Sequence, residues 1–484
     1  MKRILTAIAI VLSMHSFAQD TIFNVTLGTI GEEDAVELFE VNGRYFLFGS
    51  TGNVGNGQSD IYMVDASPAL NAFTFSTLGT GGIERLKDAS YNGQHFFLLS
   101  QMYEGFGNGY GWRIDRLDTH LVSEEAIYHN LPGVLLPIAI DCDAQGVAVL
   151  YQEQIDGEVE NYKVRKYDTA LTFINEIQLE TLGDWDEWSY TDLVLYNDGV
   201  FVVGNAIAPL FQEEVLLQYY SSAGSLEMEE TYGDSLVDLA SSILFVSDST
   251  LIITGTSNSK FTSDFDAYVL KVSLEGVLIW EKYFGYDVNA NNKDDRGIKT
   301  CEGEDERLLV GVTTETYGEG GKDFHVYEID SSGSFLEGNS FGLPEDEELR
   351  SIRVTSDSSI LILGISNSGG IGQTDLFLVK TRGVQTGHPK SYPLVRDTTT
   401  VVNGQVGISD SRRSPSLISV IDGSLRFDAE GTYELYDVLG RLIGQGAASH
   451  QASLEGTTSG MVLVVFRGLR GPREVKKILI GPAQ

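Results

Sequence analysis

The chain of 484 residues carries 69 acidic against 33 basic side chains, a formal net charge of −36. Affinity for nucleic acid or for an anionic membrane surface comes from neutralising phosphates with Lys and Arg, so this composition disfavours both as partners. Two cysteines supply no disulfide framework, and stability has to come from packed apolar surface.

At the N-terminus Lys2 and Arg3 precede an apolar stretch from Ile4 to Met14 and the small-x-small pattern Ser16-Phe17-Ala18. This predicts a signal peptide over 1–18, cut before Gln19. A membrane anchor needs about 20 apolar residues, and this core is shorter. No Cys follows the cut to carry a lipid, and no later segment reads as a membrane span. Without Lys2 and Arg3, 31 basic residues face 69 acidic ones, a net charge of −38.

From residue 22 the text repeats. Apolar runs close at Gly49, Ser100, Tyr151, Gly204, Gly255, Gly311 and Gly364, in steps of 51, 51, 53, 51, 56 and 53. After a polar loop, a second alternating run follows, as DIYMVD from Asp60, DAYVLK from Asp266, DFHVYE from Asp323 and DLFLVK from Asp375. Short runs of period two between turn residues are antiparallel strands. Four such strands every 50 residues or so make one propeller blade, because a twisted sheet buries both faces only by stacking on its neighbours. The expectation is an all-β chain with a seven-bladed β-propeller over 22–383. The last unit lacks an outermost strand and NVTLG from Asn24 has no unit of its own, so the N-terminal strand is expected to complete the last blade and remove free edges.

Turns between first and second strands, and between third and fourth, are short: NDG at 197, SDS at 247, SSAG at 221. The other two sets of loops are longer and more varied, and they share the opposite face. Cys142 and Cys301 fall in nonadjacent units and are read as two buried free thiols.

Periodicity stops over 384–414, which reads as a linker. Charge changes with it: residues 412–484 hold nine basic and seven acidic side chains. A second domain over 415–484 shows short alternating strands separated by Gly turns, the pattern of a small antiparallel β-sandwich. Its text runs Tyr433-Glu434-Leu435-Tyr436-Asp437-Val438-Leu439-Gly440-Arg441, then Gly460-Met461 and Val475-Lys476-Lys477-Ile478. This resembles the type A C-terminal sorting domain of the type IX secretion system. Asp437, Gly440, Arg441, Gly460, Lys476 and Lys477 hold the motif positions; Val462 stands where the family usually has Tyr, and Gly481-Pro482-Ala483-Gln484 follows the last strand. The resemblance implies an Ig-like sandwich and a type IX translocon as partner. It further implies export by way of the periplasm to the surface or exterior of a Gram-negative cell.

Candidate chemistry in the repeat region lies on the variable face. Trp185 and Trp188 in DWDEWSY, with Tyr103 and Tyr110 around another loop, offer aromatic faces for a sugar or peptide. Asp287, Asn289, Asn291, Asp294 and Asp295 place oxygen ligands at alternate positions, suited to calcium, but Asn292 and Ile298 replace the Gly and acid of an EF-hand. Acids that precede the innermost strands (Glu32 to Asp34, Glu84, Asp186 and Glu187, Asp238, Asp294 and Asp295, Glu345 to Glu348) are read as hydrogen-bond acceptors rather than a cation-binding mouth. No H-E-x-x-H or G-x-S-x-G motif occurs. The reading is a binding or adhesion module for an extracellular glycan or protein; the alternative is a secreted hydrolase of an extracellular polymer, whose carboxylates a sequence does not place in space.

Overall fold

The computed structural model describes residues 21–384, except 29–30, 53–54, 56–57, 71, 104–109, 131–133, 156–157, 184, 209–211, 234–235, 259–263, 286–292 and 369–372. Beyond these it describes strands within 399–480. The expected signal peptide lies outside the described residues. Contacts divide the chain into two units, 1–389 and 390–484. Among the described residues no helix is long and apolar enough to cross a membrane.

The first unit is a succession of four-stranded antiparallel meanders, the arrangement of a β-propeller. Their innermost strands are Glu33–Val41, Ile83–Tyr91, Val134–Cys142, Glu187–Tyr196, Asp238–Phe245, Asp295–Glu302 and Glu347–Val354; the repeats they open are called units one to seven below. Units four to seven are separate four-stranded sheets. Units one to three share one hydrogen-bonded sheet only because single parallel pairs, Ser59 with Ile83 and Tyr110 with Val134, bridge them. Strand Thr21–Leu27 pairs antiparallel with Asp375–Thr381 and supplies the outermost strand of unit seven.

Middle strands are buried on both faces, which is why Leu251–Ser257 and Asp266–Val272 read as unbroken buried runs. Outermost strands such as Leu278–Phe284 keep an exposed side. Apolar clusters fill the seams between successive units. Phe39, Phe46 and Phe48 of unit one meet Leu86, Phe96 and Leu98 of unit two, and Leu38, Leu47 and Val64 of unit one meet Leu361, Leu363 and Leu378 of unit seven. Each fully buried Leu, Val or Phe is worth about 1.5–3 kcal/mol, so these seams dominate stability.

Every innermost strand carries a β-bulge at the same place, between Ala35 and Glu37, Leu86 and Asp88, Pro137 and Ala139, Tyr190 and Asp192, Ala240 and Ser242, Gly297 and Lys299, and Leu349 and Ser351. The bulge leaves amides free to bond across the seam. Leu86 N donates to Ser50 Oγ (2.8 Å), Ala240 N to Asn205 Oδ1 (2.8 Å) and Leu349 N to Thr313 Oγ1 (3.0 Å). The bulge also explains the Gly that closes most second strands, which sits opposite the carbonyl preceding the bulge. A Cβ on Gly255 would overlap Leu239 O, and one on Gly204 would overlap Ser189 O. Register corrects one marker: Gly255 faces Ala240 and Gly364 faces Leu349, but in unit six it is Val312, not Gly311, that faces the equivalent Gly297.

In the second unit a five-stranded sheet and a three-stranded sheet are present. The stretch read as linker contributes a strand, Thr399–Val402, parallel to Arg473–Ile480, because its β-branched residues complete the edge of that sheet.

Gly255→Ala should cost about 1–3 kcal/mol, since the added methyl meets backbone rather than a movable side chain. Gly81→Ala, where a Cβ meets nothing within 4 Å, should stay within about 0.5 kcal/mol of the parent. Urea denaturation of both variants checks this.

Candidate functional site

Beyond each bulge the chain turns its side chains into a central cavity of about 760 Å³, lined by the innermost strands of all seven units. The residue after the bulge is Glu37, Asp88, Ala139, Asp192, Ser242, Lys299 or Ser351. Among the cavity's charged residues, Glu37, Asp88, Asp141 and Asp192 come from units one to four and Lys299, Arg350 and Arg353 from units six and seven, with Lys87 of unit two a further cation.

The anions are occupied. Lys299 Nζ and Ser351 Oγ both donate to Glu37, with Arg353 Nη2 at 3.4 Å and Leu38 N at 3.0 Å from Glu37 Oε1. Burial alone would push Glu37 up, but Lys299 and Arg353 beside it hold its carboxyl down at about 2. Asp88 accepts from Ala89 N and Ile140 N, both at 2.8 Å. Asp192 accepts from Leu193 N (2.8 Å) and Ile243 N (3.0 Å), and Asp141 from Leu195 N (2.9 Å) and Ser90 Oγ (3.2 Å). Each therefore fastens its own unit to the next. Burial pushes Asp88, Asp192 and Asp141 up, with Lys299 opposing at the first two. Cys142 and Cys301 are free thiols on the cavity wall, and burial pushes Cys301 up to about 12, so neither is a reactive thiolate.

Of the acids at the start of the innermost strands, five are buried and Asp34, Asp186 and Glu187 are exposed. Glu33, Glu84, Asp238, Asp295 and Glu347 are at most 2% exposed, and their partners include hydroxyls: Thr51 to Glu33 (2.8 Å), Thr316 to Asp295 (2.7 Å), Ser366 to Glu347 (2.6 Å).

Of the four expected ligand-facing aromatics, Tyr103 and Tyr110 face each other across the second and third strands of unit two. Their rings stack at 4.7 Å, and Tyr110 is 40% exposed. Trp188 is also exposed, on unit four. Trp185 is drawn inward and packs half-buried against the cluster between units three and four. The structure thus unites the two tyrosines and leaves unit three between them and Trp188.

Asp287, Asn289 and Asn291 of the expected calcium loop lie outside the described residues. Asp294 is bonded to Arg296 Nη2 (2.8 Å) and Asp295 to the hydroxyls of Thr314 and Thr316. Among the described residues no group of three or more acid, His or Cys side chains is placed to hold a metal ion. In the sorting motif Asp437, Gly440 and Arg441 lie outside the described residues. Gly460 opens strand Gly460–Gly468, and Lys476 and Lys477 sit in Arg473–Ile480 opposite Val464 and Leu463.

The charged residues around the cavity were not singled out in the sequence. Their signal was present in the same period: Glu37, Asp88 and Ala139 are 51 apart, as are Gly49, Ser100 and Tyr151.

No family model matches the chain, and no curated protein does. Among solved structures it is similar to the β-propeller domain of the Trilobed protease from Pyrococcus furiosus, at 10% identity and a TM-score of 0.45, over 73% of this chain and 94% of that one. It is similar also to YCF48 bound to D1 peptide, at 11% identity and 0.43, over 78% and 99%. A third is acylaminoacyl peptidase in complex with a chloromethyl ketone, at 9% and 0.45, over 72% of this chain and 51% of that one.

Lys299→Met should destabilise by about 2 kcal/mol or more, because it leaves a buried carboxylate short of its cation. Adding Glu37→Gln should recover at least about 1 kcal/mol of that loss in a double-mutant cycle read by urea denaturation.

Proposed function

We propose that residues 22–383 form a closed seven-bladed β-propeller that serves, outside the cell, as a non-catalytic binding or adhesion module for a glycan or protein. Residues 415–484 form the sandwich that addresses it to type IX export. The observation that carries the binding reading is the stacked pair Tyr103 and Tyr110, with Tyr110 exposed, at the base of a second-to-third-strand loop. Tyr103 ends the second strand of unit two and Tyr110 begins the third, so in the antiparallel order both stand at the strand ends opposite the tight turns. Aromatic faces in contact with water at the root of a loop suit a sugar ring or an apolar peptide side chain.

The cavity chemistry supports the same reading. Its carboxylates are committed to neighbouring backbone amides, to Ser90 and Ser351, or to Lys299 and Arg353, as expected of groups that hold units together. Closure is supported by the contacts of unit seven with unit one, where Arg353 Nε donates to Leu38 O (3.1 Å) and Ser356 Oγ to Glu40 (2.7 Å). For the address, the support is the text of the last 70 residues and the strands placed at Gly460, Lys476 and Lys477.

Binding is tested by presenting the full chain to glycan and protein arrays, with and without calcium. Tyr110→Ala should weaken any hit tenfold or more, on the order of 1.4 kcal/mol, whereas Ser222→Ala in a tight turn should not. Affinity unchanged by the first and lost by the second would reverse the binding face. For export, deleting 415–484 should leave a folded protein in the periplasm; arrival of that truncated protein at the cell surface would refute the address.

A further inference from the structure

Three seams repeat one constellation. An Asp opens the third strand of one unit, a Glu opens the innermost strand of the next, and a Gly after the fourth strand lies between them. The sets are Asp60, Glu84 and Gly79; Asp323, Glu347 and Gly342; Asp375, Glu33 and Gly28. All six carboxyls are at most 2% exposed. A Cβ on any of the three glycines would overlap the Asp Oδ1; on Gly79 it would also lie 3.0 Å from Glu84 Oε2, and on Gly28 2.8 Å from Glu33 Oε2. At Gly79 and Gly28 the bare Cα is what lets two carboxyl groups meet in a dry seam.

Asp323 and Glu347 carry like charges when both are ionised and both are buried, so one of them is expected to keep a proton. The set at Gly342 shows which. Glu347 has a donor on each oxygen, Ser366 Oγ on Oε1 (2.6 Å) and Leu343 N on Oε2 (2.5 Å). Asp323 accepts from Gly320 N on Oδ2 (3.1 Å) and from the Glu319 backbone, and among the described residues its buried Oδ1 has no hydrogen-bond partner. A proton placed on Asp323 Oδ1 breaks no existing bond; one on Glu347 breaks one.

We propose that Asp323 sits in the seam between units six and seven as a neutral carboxylic acid, its proton on Oδ1, and that loss of this proton to solvent loosens the seam. The pair is then a pH-sensitive latch. Burial, with the Glu347 charge adding to it and Gly320 N–H opposing, pushes Asp323 up to about 7. Glu347 is pushed up by burial against the pull of Ser366 and Leu343 N. The other titratable groups facing the seam are Glu319, raised by burial, Asp346, which accepts from Lys322 N, the Lys322–Glu348 pair and Arg350 on Glu348. His325, on the same strand as Asp323, is held neutral by burial, with its acidity near 3.

The direction of the effect follows. Between the ordinary aspartate value of 3.8 and about 7 the folded chain holds a proton that the unfolded chain has released. Stability from this group is therefore full below about pH 4, falls as pH rises towards 7, and changes no further above it. In that window one such group raises the unfolding equilibrium constant by about tenfold per pH unit.

The test is denaturant unfolding of the full chain and of Asp323→Asn at pH 5, 6, 7 and 8. Asn keeps the shape and cannot ionise. The expected result is a pH slope shallower by up to about tenfold per unit in the variant, which matches or exceeds the parent in stability at pH 8. Glu347→Gln gives a second reading: with the neighbouring charge gone, Asp323 ionises at lower pH and the fall is again reduced. The infrared carbonyl band of a protonated acid should be present at pH 5.5, lost by pH 8.5, and smaller at pH 5.5 in Asp323→Asn. A slope unchanged in both variants, or a band indifferent to Asp323→Asn, overturns the proposal.

Discussion

The interaction on which the rest of the structure depends is the seam between neighbouring four-stranded sheets. A single sheet of this composition is apolar on both faces of its middle strands, as Leu251–Ser257 and Asp266–Val272 show, and has nowhere to put either face alone. Stacking units solves this, and the solution is self-consistent only if the last unit also finds a neighbour. The contacts of Leu361, Leu363 and Leu378 with Leu38, Leu47 and Val64 provide one. Pairing of Thr21–Leu27 with Asp375–Thr381 makes the two ends of the repeat region parts of one sheet.

The bulge in every innermost strand turns this packing scheme into chemistry. One inserted residue frees amides that reach across the seam and aims the next side chain at the cavity. At or near that position units one to four carry Glu37, Asp88, Asp141 and Asp192, and units six and seven carry Lys299, Arg350 and Arg353, so that Glu37 meets Lys299 and Arg353 across the interior. The cavity carries strong charge yet is internally paired. The proposed partner site rests instead on Tyr110, which is exposed and stacks on Tyr103.

Much of the scaffold was legible because strands buried on both faces write long apolar runs, and because Asp60, Asp266, Asp323 and Asp375 open third strands at one register position. The N-terminal strand was legible because the last repeat lacked a partner for Asp375–Thr381. The cavity was not, because a bulge shifts pairing by one residue and the position it exposes accepts Glu, Asp, Ala, Ser or Lys without harm to the fold. The same shift hid Val312 behind Gly311. Trp185 and Trp188 look alike in the text, three residues apart, but the chain enters its strand between them, so that one packs under the loop and the other faces water. A ligand for the proposed binding role was not legible because sugar and peptide recognition rest on a few loop side chains that the repeat does not constrain.

The central claim is that the seams, including the one between units seven and one, make residues 22–383 a single cooperative body. Native-state hydrogen exchange followed by mass spectrometry tests it most directly. The account predicts that amides of Asp375–Thr381 and Arg44–Gly52 exchange only through the same global opening as those of Leu251–Ser257, with a common dependence on denaturant. Exchange of Asp375–Thr381 and Thr21–Leu27 through a separate, low-energy opening, while Leu251–Ser257 stays protected, would contradict it.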